Sequence, residues 1–352
     1  MCKNCHMALP RSLNEEAKGR FYYAQTMKYC FFYIIGLSLI MSVLFLMLCV
    51  YSSQCSWKQI KELSVQRGYF ITSKNYTSVS RSREFGDLTT QSCEPLHPRV
   101  VFYNRIFKSA SSTMSSFFKK CSKRLGYIFT KDFTEEWENE NISHPILTRI
   151  QAQIARSKKL NKKLMAVAHL YFREDIDSAY INLLREPVAR FISHYYYCRS
   201  PNRYAHKLKR LKELGHFNVT IEKCLEKQYE GCVWNHMTRF FCGPQAFCKS
   251  GSDEALAAAK HNMLHYYASV GIMEYINEFV MVLHKRLPDF VLPPPRDGMR
   301  KKKVTKGVTK NGISESTRSM IINANRADIQ LYEFAKDLLF KQALNCGIKI
   351  VT

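Results

Sequence analysis

The chain opens its regular pattern at residues 100–103, a short apolar run rich in β-branched and aromatic residues, and then turns polar through Lys108, Ser109, Ala110, Ser111, Ser112 and Thr113. That order predicts a strand followed by a loop. Met114, Phe117, Phe118 and Cys121 come next at i, i+3, i+4 and i+7, the apolar stripe of a helix. Residues 146–164 predict a basic helix, and 164–170 a buried strand that carries one polar residue, His169. A second strand–loop–helix unit follows. Residues 180–184 are apolar except for Asn182, Arg185-Glu186-Pro187 make the turn, and Val188, Phe191, Ile192, Tyr195 and Tyr196 repeat with helical period. Proline suits the first turn of that helix. Further on, 254–267 predict a helix, 269–273 a short strand, 276–287 an amphipathic helix closed by Pro293, Pro294 and Pro295, and 316–344 a final helix. Two strand–loop–helix units imply parallel strands with helices between them. The expected fold class is therefore α/β, with ligands outside the carboxyl ends of the strands.

Upstream the pattern is different. No charged residue occurs from 29 to 57, and 30–51 are mostly apolar, long enough for a membrane-spanning helix, which needs about 20 residues. Lys3, Arg11, Lys18, Arg20 and Lys28 precede it against Glu15 and Glu16, so the bias of positive charge puts the N-terminus in the cytosol. The expected organisation is a cytosolic tail at 1–28, a transmembrane signal-anchor at 29–51, a polar stem at 52–98 and a lumenal folded domain at 99–352. Three glycosylation sequons begin at Asn75, Asn141 and Asn218, in keeping with a lumenal side. Nine cysteines follow the membrane segment, in a compartment where disulfides persist. Cys224 with Cys232 and Cys242 with Cys248 are close enough to staple local loops, and they lack the two-residue spacing of a zinc ribbon.

Charge then narrows the partners. With 53 Lys and Arg against 29 Asp and Glu the net charge is +24, which calls for a polyanion: nucleic acid, an anionic membrane surface or an acidic polysaccharide. A lumenal domain removes nucleic acid from that set. Within the domain, the stretch from Lys108 to Thr113 sits where a helix begins, so free backbone N–H groups, the helix dipole, one lysine and several hydroxyls suit a phosphate-like anion. The plain alternative is a strand-to-helix connection with a Ser/Thr cap. A Walker loop is excluded, because neither its glycines nor its Gly-Lys-Ser/Thr order is present. Arg185, at a strand end, and Ser193, eight residues later in a helix, suit a second phosphate, unless Arg185 simply pairs with a carboxylate. His169 is either a packed structural histidine or a proton acceptor near neutral pH. Arg300, Lys301 and Lys302 open a basic loop that continues through Lys303, Lys306 and Lys310. It reads as a solvated charge run or as a cover over a charged ligand.

Together the motifs Asn104-Arg105-Ile-Phe-Lys108-Ser-Ala-Ser, Tyr180-Ile-Asn-Leu-Leu-Arg185-Glu-Pro187, Arg190-Phe-Ile-Ser193-His-Tyr-Tyr-Tyr197 and Phe241-Cys242-Gly243 resemble those of the uronyl 2-O-sulfotransferases, over roughly residues 99 to 344. Those are Golgi enzymes that sulfate heparan or dermatan/chondroitin chains. The resemblance implies a sulfotransferase-type parallel sheet with flanking helices, akin to P-loop nucleotide kinases, and 3′-phosphoadenylyl sulfate as donor, with no metal. It implies that Lys108 with Ser109, Ala110, Ser111, Ser112 and Thr113 is the 5′-phosphosulfate loop. Arg185 and Ser193 then clamp the 3′-phosphate, with Arg300, Lys301 and Lys302 also near the donor, and Lys108 and His169 are catalytic. Arg105 matches an acceptor-contacting arginine, Lys207 and Arg210 fall with Lys209 and Lys212 in the family's basic acceptor region, and the two cysteine pairs match family disulfides. Two departures stand out: Val167 occupies the place of a second histidine in the heparan-acting relatives, and Glu186 that of an aspartate. Those relatives are trimers held partly by a C-terminal tail, which implies a homo-oligomer, although this chain stops soon after its last helix. The resulting expectation is a single-pass type II Golgi membrane enzyme that sulfates a glycosaminoglycan. The rival from another class is a membrane-anchored glycosaminoglycan-binding protein that has lost catalysis. A lumenal kinase is disfavoured, since the chain has no Gly-rich turn and no evident magnesium carboxylates.

Overall fold

The structure, a computed structural model, describes residues 93–131, 143–200, 205–299 and 312–350. The segment 29–51, the sequons at Asn75 and Asn141 and the basic run from Arg300 to Lys310 lie outside the described residues. Among the described residues no helix is long and apolar enough to cross a membrane.

Five parallel strands form one sheet: β1 (Val100–Asn104), β2 (Ile128–Lys131), β3 (Leu164–Ala168), β4 (Ala179–Leu184) and β5 (Tyr267–Ile272), in the order β2-β3-β1-β4-β5. The near-continuous apolar runs read from the sequence are what a sheet covered on both faces requires. Every residue of β1, β3, β4 and β5 is buried, whereas the edge strand β2 is half-exposed along its length. Register places Asn104 opposite Ala168 and Tyr103 opposite Ile181. A buried amide ladder locks this end of the sheet. Asn182 donates to both the carbonyl and the side-chain oxygen of Asn104, at 2.6 and 2.9 Å, and Asn104 donates to the Tyr267 hydroxyl at 2.9 Å.

The described helices are α1 (Ser111–Leu125), α2 (Ser143–Lys159), α3 (Pro187–Cys198), α4 (Ala205–Glu213), α5 (Ile221–Glu226), α6 (His236–Cys242), α7 (Asp253–Tyr266), α8 (Ile276–Arg286), α9 (Glu315–Ala324) and α10 (Arg326–Asn345). In α1 the stripe of Met114, Phe117, Phe118 and Cys121 is buried, as its spacing predicts. The helix stops at Gly126, whose left-handed φ of 77° lets its N–H return to the Ser122 carbonyl. In α3 Pro187 takes the first position and the Glu186 carboxylate caps the helix, accepting from the N–H groups of Val188 and Ala189. The aspartate-to-glutamate difference at Glu186 therefore keeps a capping carboxylate.

Three expectations need correction. The basic helix predicted over 146–164 ends at Lys159, because Asn161 turns left-handed (φ 47°) and hands the chain to β3. His169 falls just beyond β3 instead of within it. The final helix is two: Asn325 leaves helical geometry (φ −113°, ψ 32°) where its side chain accepts from the Asn235 N–H and donates to the Ile321 carbonyl, and the chain restarts as α10. Disulfides join Cys224 to Cys232 and Cys242 to Cys248, and a third, which sequence reading missed, joins Cys93 to Cys346. Cys121 and Cys198 are buried and take no part in these three disulfides.

Candidate active site

Parallel strands deliver their following residues to one edge of the sheet, and here the chain leaves β1 and β3 in opposite directions, which opens a crevice at their carboxyl ends. In spatial order the strand ends present Lys131 as the last residue of β2, His169 after β3, Arg105 to Lys108 after β1, Arg185 after β4 and Glu274 after β5. All the strongest candidates from the sequence meet there.

The loop after β1 is not a plain capped connection. The N-cap of α1 is Ala110, which has no side chain able to cap. Lys108 and Ala110 both hold positive φ, 66° and 52°, on either side of Ser109. Alternating handedness of this kind turns successive N–H groups toward one concavity and costs about 1 to 3 kcal/mol per residue unless the surroundings enforce it. The first turn of α1 adds its own unsatisfied donors. Ser109 is fully buried, and its hydroxyl has no hydrogen-bond partner. Ser111 and Thr113 are buried and Ser112 is exposed. The Lys108 ammonium lies 4.2 Å from the centre of the Tyr197 ring, a cation–π contact that fixes where the side chain reaches.

Arg185 comes to this loop from the other side, donating to the Lys108 carbonyl at 3.2 Å, while its buried Nε has no partner. Burial pulls the guanidinium below its usual range, and the charges of Glu274 and Glu186 work against that. No carboxylate of the described residues lies within ion-pair distance of Arg185, so the simple pairing alternative does not hold. Ser193 stands in α3, buried, about 9 Å along the helix axis from Pro187, a span an extended arginine can share. The unpaired polar atoms of Ser109 and Arg185, at the two sides of one loop, are what a bound polyanion would satisfy.

His169 is buried, and its Nδ1 lies 2.8 Å from the Arg105 carbonyl. Only an N–H can donate to a carbonyl, so the proton sits on Nδ1 and Nε2 keeps its lone pair. The Phe107 ring stacks on the imidazole, centroids 3.5 Å apart and nearly coplanar in orientation. Burial, and then the Arg105 charge, hold the His169 pKa well below its ordinary value. The ring is therefore neutral and proton-accepting at neutral pH.

Two further histidines, missed from the sequence, surround the same Phe107: His194 at 5.8 Å and His236 at 6.5 Å between centroids, with 6.0 Å between the two. No sequence signal marks them, since His194 lies within an aromatic helix and His236 is the first residue of a short, largely buried one. Beneath them the fully buried Arg190 faces Asp328 at 3.9 Å, and Asp328 also accepts from the N–H groups of Met237 and Thr238 and from the Thr238 hydroxyl. Arg105 is buried, and Lys207 and Arg210 lie on α4, half-buried and exposed. Asn218 is exposed in the bend before α5. Among the described residues no group of three or more His, Cys, Asp or Glu side chains is placed to hold a metal ion.

Residues 97–335 match the profile of the sulfotransferase family. The chain is similar to heparan sulfate 2-O-sulfotransferase 1 of Gallus gallus and of Homo sapiens, 27% identical over 254 residues that cover 67% of this chain and 69% of each relative. It is similar also to the heparin sulfate O-sulfotransferase of Drosophila melanogaster, 27% identical over 253 residues, 68% of this chain and 70% of the relative.

Proposed function

The chain belongs to the sulfotransferase family, and from that premise we propose that it moves a sulfuryl group from 3′-phosphoadenylyl sulfate to the 2-hydroxyl of a uronic acid in a glycosaminoglycan. The relatives it resembles carry heparan sulfate 2-O-sulfotransferase names, which supports the acceptor class. The observation that carries the reading is the pair of buried, unpaired polar atoms, Ser109 Oγ and Arg185 Nε, on the two sides of a left-handed loop that begins a helix.

In this reading the loop N–H groups and Ser109 receive the 5′-phosphosulfate, and Arg185 with Ser193 receives the 3′-phosphate. The donor supplies an activated sulfuryl group whose departing oxygen is a phosphate. Transfer of this kind runs in line between two oxygens, so positioning and charge neutralisation supply most of the catalysis, as in phosphoryl transfer. Lys108 neutralises charge that develops on the departing phosphate. His169 accepts the acceptor's hydroxyl proton at Nε2 as the new oxygen–sulfur bond forms, and the Arg105 carbonyl holds the ring in the tautomer this requires. Val167, where the heparan-acting relatives have a second histidine, leaves His169 as the base.

The proposal includes a Golgi membrane, type II setting with the domain lumenal. The uncharged segment at 29–51, the exposed sequon at Asn218 and three disulfides support it. Association into a homo-oligomer belongs to the same proposal. Incubation of the protein with labelled donor and each desulfated glycosaminoglycan, followed by disaccharide analysis, tests the chemistry. Label at the uronate 2-position is the expected result. A protein that binds nucleotide and polymer yet transfers no label to heparan, dermatan or chondroitin would be the inactive binding protein instead.

A further inference from the structure

The opposite edge of the sheet carries a second concentration of positive charge. Because the strands are parallel, the loops entering β1, β2 and β3 share that edge, and α1 and α2 both end there. Leu164 N donates to the Arg99 carbonyl and Ile128 N to the Lys163 carbonyl. A cleft of about 630 Å³ opens between them, lined by Pro95, Leu96, His97, Arg99, Asn161, Lys162 and Lys163. Asp289 is already engaged there by His97 and Lys163. Around the cleft stand Lys158 and Lys159 at the end of α2 and Lys123 and Arg124 at the end of α1, all exposed. None of these four, nor Lys162 or Arg99, has a carboxylate within ion-pair distance among the described residues. Arg99 donates instead to the Asn161 side-chain oxygen at 3.2 Å.

Helix C-termini favour cations, which accounts for one or two lysines at each end. It does not account for Arg99 and Lys162, which belong to no helix and add to the mutual repulsion. We propose that this basic edge is a second, non-catalytic binding site for a sulfated or carboxylated polysaccharide, a proposal that rests on the acceptor class assigned above. The concave shape favours a polymer chain over a membrane surface, which is flat and would leave the cleft unfilled. Exposed Leu125 and Leu160, beside Arg124 and Lys159, offer apolar contact to the C–H faces of sugar rings. The five-residue strands put this edge roughly 15 Å from the His169 crevice. A long polymer can therefore hold both sites at once and gain effective concentration, whereas a short oligosaccharide fills only the crevice.

The test uses the full chain with Lys158→Ser, Lys159→Ser and Lys162→Ser combined, and a companion with arginine at the same three positions. Expected for the serine variant are an unchanged kcat, an unchanged KM for a hexasaccharide acceptor and a KM for long polymer raised about tenfold, with the arginine variant close to wild type. A long-polymer KM that stays put would overturn the proposal, and so would a hexasaccharide KM that rises equally, since that is general electrostatic attraction. Loss of binding to phosphatidylserine vesicles with long-polymer KM intact would assign the edge to membranes and overturn it too. If wild type sulfates no polymer, yet the serine variant loses retention on immobilised heparin, the enzymatic reading fails and the second site stands.

Discussion

His169 has the geometry of a base before any substrate arrives, because the carbonyl of Arg105 sets its tautomer and Phe107 sets its plane. His169→Ala should bind the donor nucleotide nearly as well as wild type and lose about a hundredfold or more in turnover, the usual scale for a general base. A packed histidine with no chemical role would show the reverse, a lowered melting temperature with turnover of the folded protein intact. Lys108→Ala should lose both turnover and some nucleotide affinity, since in the proposed reaction the ammonium meets charge that grows on the departing phosphate. The direction of the His169 shift predicts the pH profile. Its neutral form persists below the ordinary value of 6.5, so the acid limb of kcat/KM should lie beneath pH 6.5, and a limb above that value in kcat/KM measurements would contradict the assignment. Lys108, His169 and Arg185 were legible in the sequence because each follows an apolar run at its polar end. His194 and His236 were not, since what gathers them around Phe107 is the packing of α3 and α6.

At the scale of elements, packing between β5 and α8 hinges on one missing side chain: a Cβ on Gly271 would stand 2.2 Å from the Phe279 ring. Gly271→Ala should destabilise the fold by about 1 to 3 kcal/mol, the range for overpacked cores, as measured by denaturant unfolding. The buried Arg190–Asp328 contact joins α3 to α10, and Asp328 also takes the N–H groups that open α6. Asp328→Ala would leave a buried guanidinium and those donors uncompensated, so a loss of about 3 to 5 kcal/mol is expected. The same elements show what a sequence can and cannot reveal. Strands β1 and β4 with helices α1 and α3 were readable, because a run of buried strand residues and a 3.6-residue stripe are local patterns. Edge strand β2 was missed, since its four half-exposed residues carry no period. The break at Asn325 was missed because its cause is Asn235, far away in the chain.

For the molecule as a whole, two buried neutral histidines make stability depend on pH. His169 and His236 both have folded-state pKa values held well below 6.5 by burial. In the unfolded chain they take up protons as pH falls through 6.5, so their contribution is complete above that value and is lost below it. Melting temperature should therefore drop from pH 7 to pH 5, and drop less in His236→Phe. The proposed type II setting predicts that protease added to sealed microsomes spares the folded domain, and digestion from the cytosolic side would defeat that proposal. Cys93 and Cys346 enclose nearly every described residue, a separation of 253 in the chain, which no local spacing could announce. In the chain-entropy model such a closure is worth about 5 kcal/mol. It also makes the domain a covalent ring. One proteolytic cut anywhere between 94 and 345 opens the ring without dividing it, so nicked protein should migrate as one species until reductant is added, and as two afterwards.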